Sequence, residues 1–248
     1  MWRTPVHRAN LVGMIVWLAA CSLLIAQEEG KVQSGPQKGE FMPKAFECVH
    51  INGPVKAMFI EPTKDQPGYH VVRPRCLICQ FGLLPSVLIF AQEPVEQKDE
   101  AFTDLLKKLD ETATEFQDRS FSVGVVILSA DARDSTNNAT EDDIDKIIKE
   151  TVQREKLIER LKKRAEKLEL KHVIIAIYPP DGPILREDPP KGYKLNPKAE
   201  ITVLFYEKMK VIENYAYAPG ELESKHVELI VKRVREALPL RKNPAKEK

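Results

Sequence analysis

The chain has 248 residues, of which 43% are hydrophobic and 30% charged, enough for one core with an appendage. Lys and Arg number 38 against 37 Asp and Glu, a formal charge of +1, so the basic excess of a nucleic-acid binder is missing. With Gly at 11, Pro at 18 and only four Cys, collagen-like chains and disulfide-dense scaffolds are excluded as well.

The amino terminus reads as an address. Residues 1–10 carry Arg3, His7 and Arg8 and no acid, and residues 11–26 (LVGMIVWLAACSLLIA) carry no charge. A basic start, an apolar stretch and a small-residue exit predict a secretory signal peptide over 1–26. The stretch is shorter than the about 20 residues of a membrane span. An uncleaved anchor and a buried core helix are the alternatives. Leu18-Ala19-Ala20-Cys21 resembles a bacterial lipoprotein lipobox, which would put a lipid on Cys21. The run stays apolar to Ala26, and cleavage there fits the polarity switch, with Cys21 then only a small residue of the signal. Either way the expectation is an exported protein of periplasm, cell envelope or exterior, touching a membrane only through a signal anchor or a lipid on Cys21. Beyond the signal remain Cys48, Cys76 and Cys79, an odd count that leaves one thiol over.

Residues 27–45 are polar and hold Gly30, Ser34, Gly35, Pro36 and Gly39, the pattern of a flexible linker. Residues 46–83 are short apolar pieces broken by Gly53-Pro54, Pro62, Pro67-Gly68 and Pro74, expected as an appendage of two or three short strands or loops that contains a C-x-x-C.

From Pro85 the pattern sharpens into a main domain over 84–240. Ser86–Phe90 is a continuous apolar run, as in a strand covered on both faces. Phe102, Leu105, Leu106, Leu109, Ala113 and Phe116 recur at helical spacing. Residues 121–130 (FSVGVVILSA) are a second buried strand, followed by a polar loop over 131–139. Thr140 with Asp143 resembles a capping box for a helix to about Leu170. Its apolar stripe is Ile144, Ile147, Ile148, Val152, Ile158, Leu161, Ala165 and Leu168. An acidic first turn and basic last turns suit its dipole. Residues 172–178 (HVIIAIY) are a third strand and 179–198 a Pro-rich loop. Ile201–Tyr206 and Lys210–Tyr217 form a strand hairpin, and Val227, Ile230, Val231, Val234 and Leu238 mark a last helix before the solvated tail 241–248. Helices between buried strands imply parallel crossovers, and the closing hairpin implies antiparallel strands at one side.

This order resembles the thioredoxin-like α/β fold, a central mixed sheet flanked by helices. Within it the chain is most similar to the branch of TlpA-type oxidoreductases and peroxiredoxins, in which an extra strand follows the second helix. Residues 121–131 (FSVGVVILSAD) match that branch's strand ending in Asp, and 193–206 (YKLNPKAEITVLFY) with KVIENYAY match its closing hairpin. The resemblance covers about residues 84–238 and implies an active-site Cys motif at the helix start after the first core strand. Here that place reads Ala91-Gln92-Glu93-Pro94-Val95-Glu96-Gln97, without Cys. The resemblance also implies a cis-proline just before the hairpin, where this chain has Ile201, with Pro197 four residues earlier.

Cys76-Leu77-Ile78-Cys79 stands instead before the first core strand. Gly82 and Pro85 follow closely, so no long helix begins at Cys76, and Arg73 and Arg75 are the nearby cations for a thiolate. Three readings stay open. Cys76 and Cys79 are a thiol–disulfide exchange pair. Or they are structural, bonded to each other or one of them to Cys48. Or Cys48, His50, Cys76 and Cys79 form a tetrahedral metal set. Gln80 after Cys79 does not support covalent haem. No nucleotide, zinc-protease or serine-hydrolase motif occurs, and no cofactor is expected. Asp131, Asp134, Asp142 and Asp143 lack the spacing of a calcium loop and read as solvated. The functional expectation is an atypical or non-catalytic interaction module with an unidentified protein partner and no nucleic acid. The alternatives are an envelope thiol–disulfide oxidoreductase using Cys76 and Cys79, and a metal-binding module.

Overall fold

The computed structural model describes residues 32–53, 58–60, 69–71, 74–94, 99–117, 120–134 and 144–238. The expected signal with Cys21, Arg73, the capping residues Thr140 and Asp143, and the tail lie outside them. Among the described residues no helix is long and apolar enough to cross a membrane.

The elements in chain order are β1 (Val49–His50), β2 (Met58–Ile60), β3 (Tyr69–Val71), α1 (Leu77–Phe81), β4 (Ser86–Gln92), α2 (Glu100–Glu115), β5 (Ser122–Leu128), α3 (Ile144–Lys167), β6 (Val173–Tyr178), α4 (Pro183–Arg186), β7 (Ile201–Glu207), β8 (Lys210–Tyr217) and α5 (Ser224–Ala237). Six strands make one sheet in the order β1-β6-β5-β4-β7-β8, and β2 and β3 pair by themselves. β4, β5 and β6 are parallel, whereas β1, β7 and β8 run antiparallel to their neighbours. Both crossovers step the same way across the sheet. Right-handed connections therefore put α2 and α3 on the same face.

Side chains alternate across β4. Val87, Ile89 and Ala91 join a core built with Phe102, Leu105 and Leu109 of α2, Leu157 and Leu161 of α3, and Val227 and Ile230 of α5. Leu88 and Phe90 face the other way, into a second core. Among the described residues no long helix covers that side. Its cover is α1 together with Met42, Phe46, Cys48, Leu185, Tyr193 and Leu195.

That cover corrects two expectations. The described part of the expected linker is tied down: Asn196 N–H donates to Ser34 Oγ at 3.0 Å, Gly39 N–H to the Val211 carbonyl at 2.9 Å, and Met42 N–H to the Met209 carbonyl at 2.7 Å. Gly35 and Gly39 sit at φ +79° and +90°, so they turn the chain along β7 and β8 instead of freeing it. Two stretches of the expected appendage, around residues 46–51 and 76–81, likewise belong to the main core, whereas β2 and β3 pair by themselves. β1 is one of the sheet's two edge strands, and Leu77, Ile78 and Phe81 are buried on the sheet face. The expected stripe of α3 also shortens. Leu157, Leu161 and Ala165 are buried, but Ile144, Ile148 and Val152 are exposed.

Gly124 of β5 lets α1 approach. A Cβ there would stand 3.0 Å from Phe81 Cε2 and 3.1 Å from Leu77 Cδ1. Gly124→Val is expected to overpack this contact and cost about 1–3 kcal/mol, read as a lower urea midpoint. An unchanged midpoint would mean that α1 does not press on β5.

Candidate functional site

The cysteines gather at the start of α1. Cys76 is extended (φ −95°, ψ 112°) and caps the helix: its sulfur accepts the Cys79 N–H at 3.0 Å. Cys76 and Cys79 are joined in a disulfide with Cα atoms 5.2 Å apart. Gly82 at φ +60° ends the helix, its N–H returning to the Ile78 carbonyl at 2.9 Å. One short turn thus follows Cys76, as Gly82 and Pro85 predict. Leu77, Ile78 and Phe81 face the sheet, which leaves Cys79 and Gln80 exposed and Cys76 half-buried.

Cys48 and His50 lie under the same turn. Cys48 is buried, and its thiol donates to the Arg75 carbonyl at 3.4 Å. Burial pushes that thiol up to about 12, with the Leu77 backbone N–H acting in the opposite sense. His50 is buried too, and its Nε2 has no hydrogen-bond partner among the described residues. Burial, then the Arg75 charge, lowers its pKa, against a backbone hydrogen bond to Arg75. Among the described residues no three His, Cys, Asp or Glu come together as a metal-holding group. The set Cys48, His50, Cys76 and Cys79 is therefore neighbouring without being arranged as ligands.

His50 makes a pH prediction. Its folded pKa lies below the ordinary 6.5, so the unfolded chain takes the proton first. Its contribution to stability is intact above the unfolded value and is lost as pH falls through the folded one. Urea midpoints at pH 7.5 and 5.5 are expected to differ more in the wild type than in a His50→Gln variant. Equal differences would remove His50 from the acid response.

The carboxyl ends of β4, β5 and β6 form a second polar place, where the family resemblance puts its Cys motif. Glu93 follows β4. Its carboxylate accepts the Ser129 hydroxyl and pairs with Arg160 of α3. Around it Arg154 pairs with Asp134 at 2.5 Å, and Arg133 with Asp181 at 2.9 Å. A half-buried ion pair thus stands where the resemblance puts a reactive sulfur. Sequence reading missed this cluster, because Arg160 sits in a helix dense with charges and nothing in its spacing singles it out. The two cis peptide bonds of the described residues, Glu93-Pro94 and Pro189-Pro190, do not stand immediately before β7. His226 accepts the Glu223 N–H at 3.1 Å as part of a helix cap, an ordinary structural role.

A groove of about 860 Å³ is lined at one end by Gln80 and Phe81 of α1. It runs past Asn52, Phe121, Lys162 and His172 at the amino ends of β5 and β6.

No protein-family model matches this chain, and no curated protein does. Solved structures similar to it include the peroxidoxin BcpB of Mycobacterium tuberculosis, at 12% identity and TM-score 0.43 over 81% of this chain and 97% of that one. A secreted disulfide oxidoreductase of the same organism has 10% identity and TM-score 0.40 over 77% and 95%. The exposed lipoprotein thioredoxin of Streptococcus pneumoniae has 15% identity and TM-score 0.37 over 77% and 99%. The chain's own topology carries the fold assignment: three parallel strands with same-face crossovers, the extra strand β6 after the second long helix, and a closing antiparallel hairpin with its helix. The fold is thioredoxin-like, with the cysteine pair at the start of α1, ahead of β4.

Proposed function

We propose that this protein is a thiol–disulfide exchange module that works through Cys76 and Cys79. The observation that carries the reading is the asymmetry of the pair: Cys79 is exposed, while half-buried Cys76 holds a backbone N–H on its sulfur. A substrate thiolate reaches Cys79 first. Its attack on Cys79 Sγ forms a mixed disulfide, breaks the Cys76–Cys79 bond and expels Cys76 as a thiolate. The Cys79 N–H is already aimed at that sulfur and stabilises the charge there. A second substrate thiolate then releases the mixed disulfide, leaving the substrate oxidised and the pair reduced. The groove that starts at Gln80 is the bed for the substrate chain.

Such a cycle suits an oxidising compartment, and we read residues 1–26 as the export signal that takes the chain there. The mass of the mature amino terminus tests this, and also distinguishes cleavage after Ala26 from a lipid on Cys21.

The deciding experiment is thiol titration in glutathione buffers. A midpoint near about −180 to −270 mV is expected, together with complete loss of dithiol-dependent reductase activity in Cys79→Ser. A bond that stays closed below about −300 mV would make the pair a staple. The second reading, a non-catalytic interaction module, would then stand. The Glu93–Ser129–Arg160 cluster favours it, because that cluster fills the usual catalytic place with a closed ion pair.

A further inference from the structure

Cys48 takes no part in the exchange just described, yet its sulfur lies against the same turn. Cys48 and Arg75 form an antiparallel bridge, each N–H donating to the other's carbonyl at 2.8 Å. The Cys48 thiol donates to the Arg75 carbonyl at 3.4 Å, and the Leu77 N–H is directed at the same sulfur. Those two groups belong to the peptide units on either side of the Cys76 Cα. In an extended residue the preceding carbonyl and the following N–H point to one side, and Cys76 is extended. The Cys48 sulfur is therefore seated against the backbone of Cys76 itself. Residues bridged in this way have Cα atoms about 5.5 Å apart, and Cys76 is the next residue along the strand from Arg75.

We propose that Cys48 is a third member of the redox centre: its sulfur exchanges with the Cys76–Cys79 disulfide, forming a Cys48–Cys76 bond and releasing Cys79 as an exposed thiol. The Cys48 thiolate attacks Cys76 Sγ, the Cys76–Cys79 bond breaks, and Cys79 leaves as a thiolate. The proton lost by Cys48 is regained at Cys79. One disulfide is present before and after, so no oxidant or reductant is consumed. Burial keeps Cys48 protonated, which makes Cys76–Cys79 the resting isomer. The exchange goes beyond the proposed substrate reaction, because it needs no partner and leaves a reactive thiol on the surface while the centre stays oxidised.

The test uses the full chain in a Cys21→Ser background. A Cys79→Ser variant is equilibrated with glutathione disulfide and mapped by mass spectrometry without reduction. An intramolecular Cys48–Cys76 link is expected in most molecules. Cys76 found as a glutathione adduct or an intermolecular dimer, with Cys48 unmodified, overturns the proposal. A second measurement leaves the fold untouched. The oxidised chain with all three centre cysteines is held at pH 9 with iodoacetamide. Label on Cys79 is expected, and label on Cys48 alone overturns the proposal. Both readouts are maps of bonds and labels, so they are independent of where the potential of Cys76–Cys79 falls.

Discussion

Asp110→Ala is expected to cost about 2–6 kcal/mol, a large part of the about 5–15 kcal/mol that holds a domain folded. Asp110 is buried on α2, and its carboxylate receives three successive backbone N–H groups. Oδ1 accepts from His172 at 2.7 Å, Val173 at 2.8 Å and Lys171 at 3.0 Å, and Oδ2 accepts from Lys171 at 3.1 Å. These donors form the entry to β6, where the chain leaves α3 and turns into the sheet. Alanine strands the Val173 donor, which is buried, and the half-buried His172 donor, while the exposed Lys171 regains water. Two orphaned donors at about 1–3 kcal/mol each set the expected size. Asp110→Asn keeps an acceptor oxygen but loses the charge, so about half the loss is expected. Urea unfolding of the three proteins checks the order. A loss below about 1 kcal/mol for alanine would mean that water substitutes for the carboxylate at all three donors.

Asp110 also shows what the sequence makes legible and what it does not. The strands β4, β5, β6 and β7 announce themselves because burial on both faces demands unbroken apolar runs, and such runs survive without knowledge of any partner. The same holds for α2, whose stripe matches its buried face. The first half of α3 misleads: Ile144, Ile148 and Val152 have the same spacing, but only the second half of the helix is buried. Periodicity reports a face, not whether anything lies opposite it. Residues 32–45 fail in the other direction. Gly, Pro and Ser are read as freedom, yet here they build turns whose backbone groups are satisfied by β8 and the loop before β7.

The candidate site divides along the same line. That Cys76 precedes the first core strand and starts only a short turn follows from Gly82 and Pro85, both local signals. That Cys48 and His50 share that turn depends on the two-residue strand β1 joining the edge of β6, with His50 opposite Ala176, far along the chain. No local pattern carries such a pairing. Nor does any pattern announce Glu93 with Arg160, since each is one charge among many until the fold places them together.

Leu77→Ala is expected to cost about 2–5 kcal/mol and, as its specific signature, to open the cysteine cluster. Leu77 is fully buried against Gly124, and α1 has only five residues. A helix so short has no stability of its own, so it stays in place only through what Leu77, Ile78 and Phe81 bury. Removing one of these anchors lowers the free energy of local opening on that face before it touches the helical face. Each 1.4 kcal/mol is a factor of ten in the open population, so native-state alkylation of Cys48 is expected to speed up at least about tenfold. Phe102→Ala is the control. Phe102 is equally buried, but in α2 on the opposite face, and its loss is expected to cost about 3–5 kcal/mol. If α1 opens by itself, Phe102→Ala leaves Cys48 labelling near the wild-type rate while Leu77→Ala does not. Equal acceleration in both variants would mean that Cys48 is reached only through global unfolding, and that the turn carrying Cys76 and Cys79 moves as one unit with the sheet.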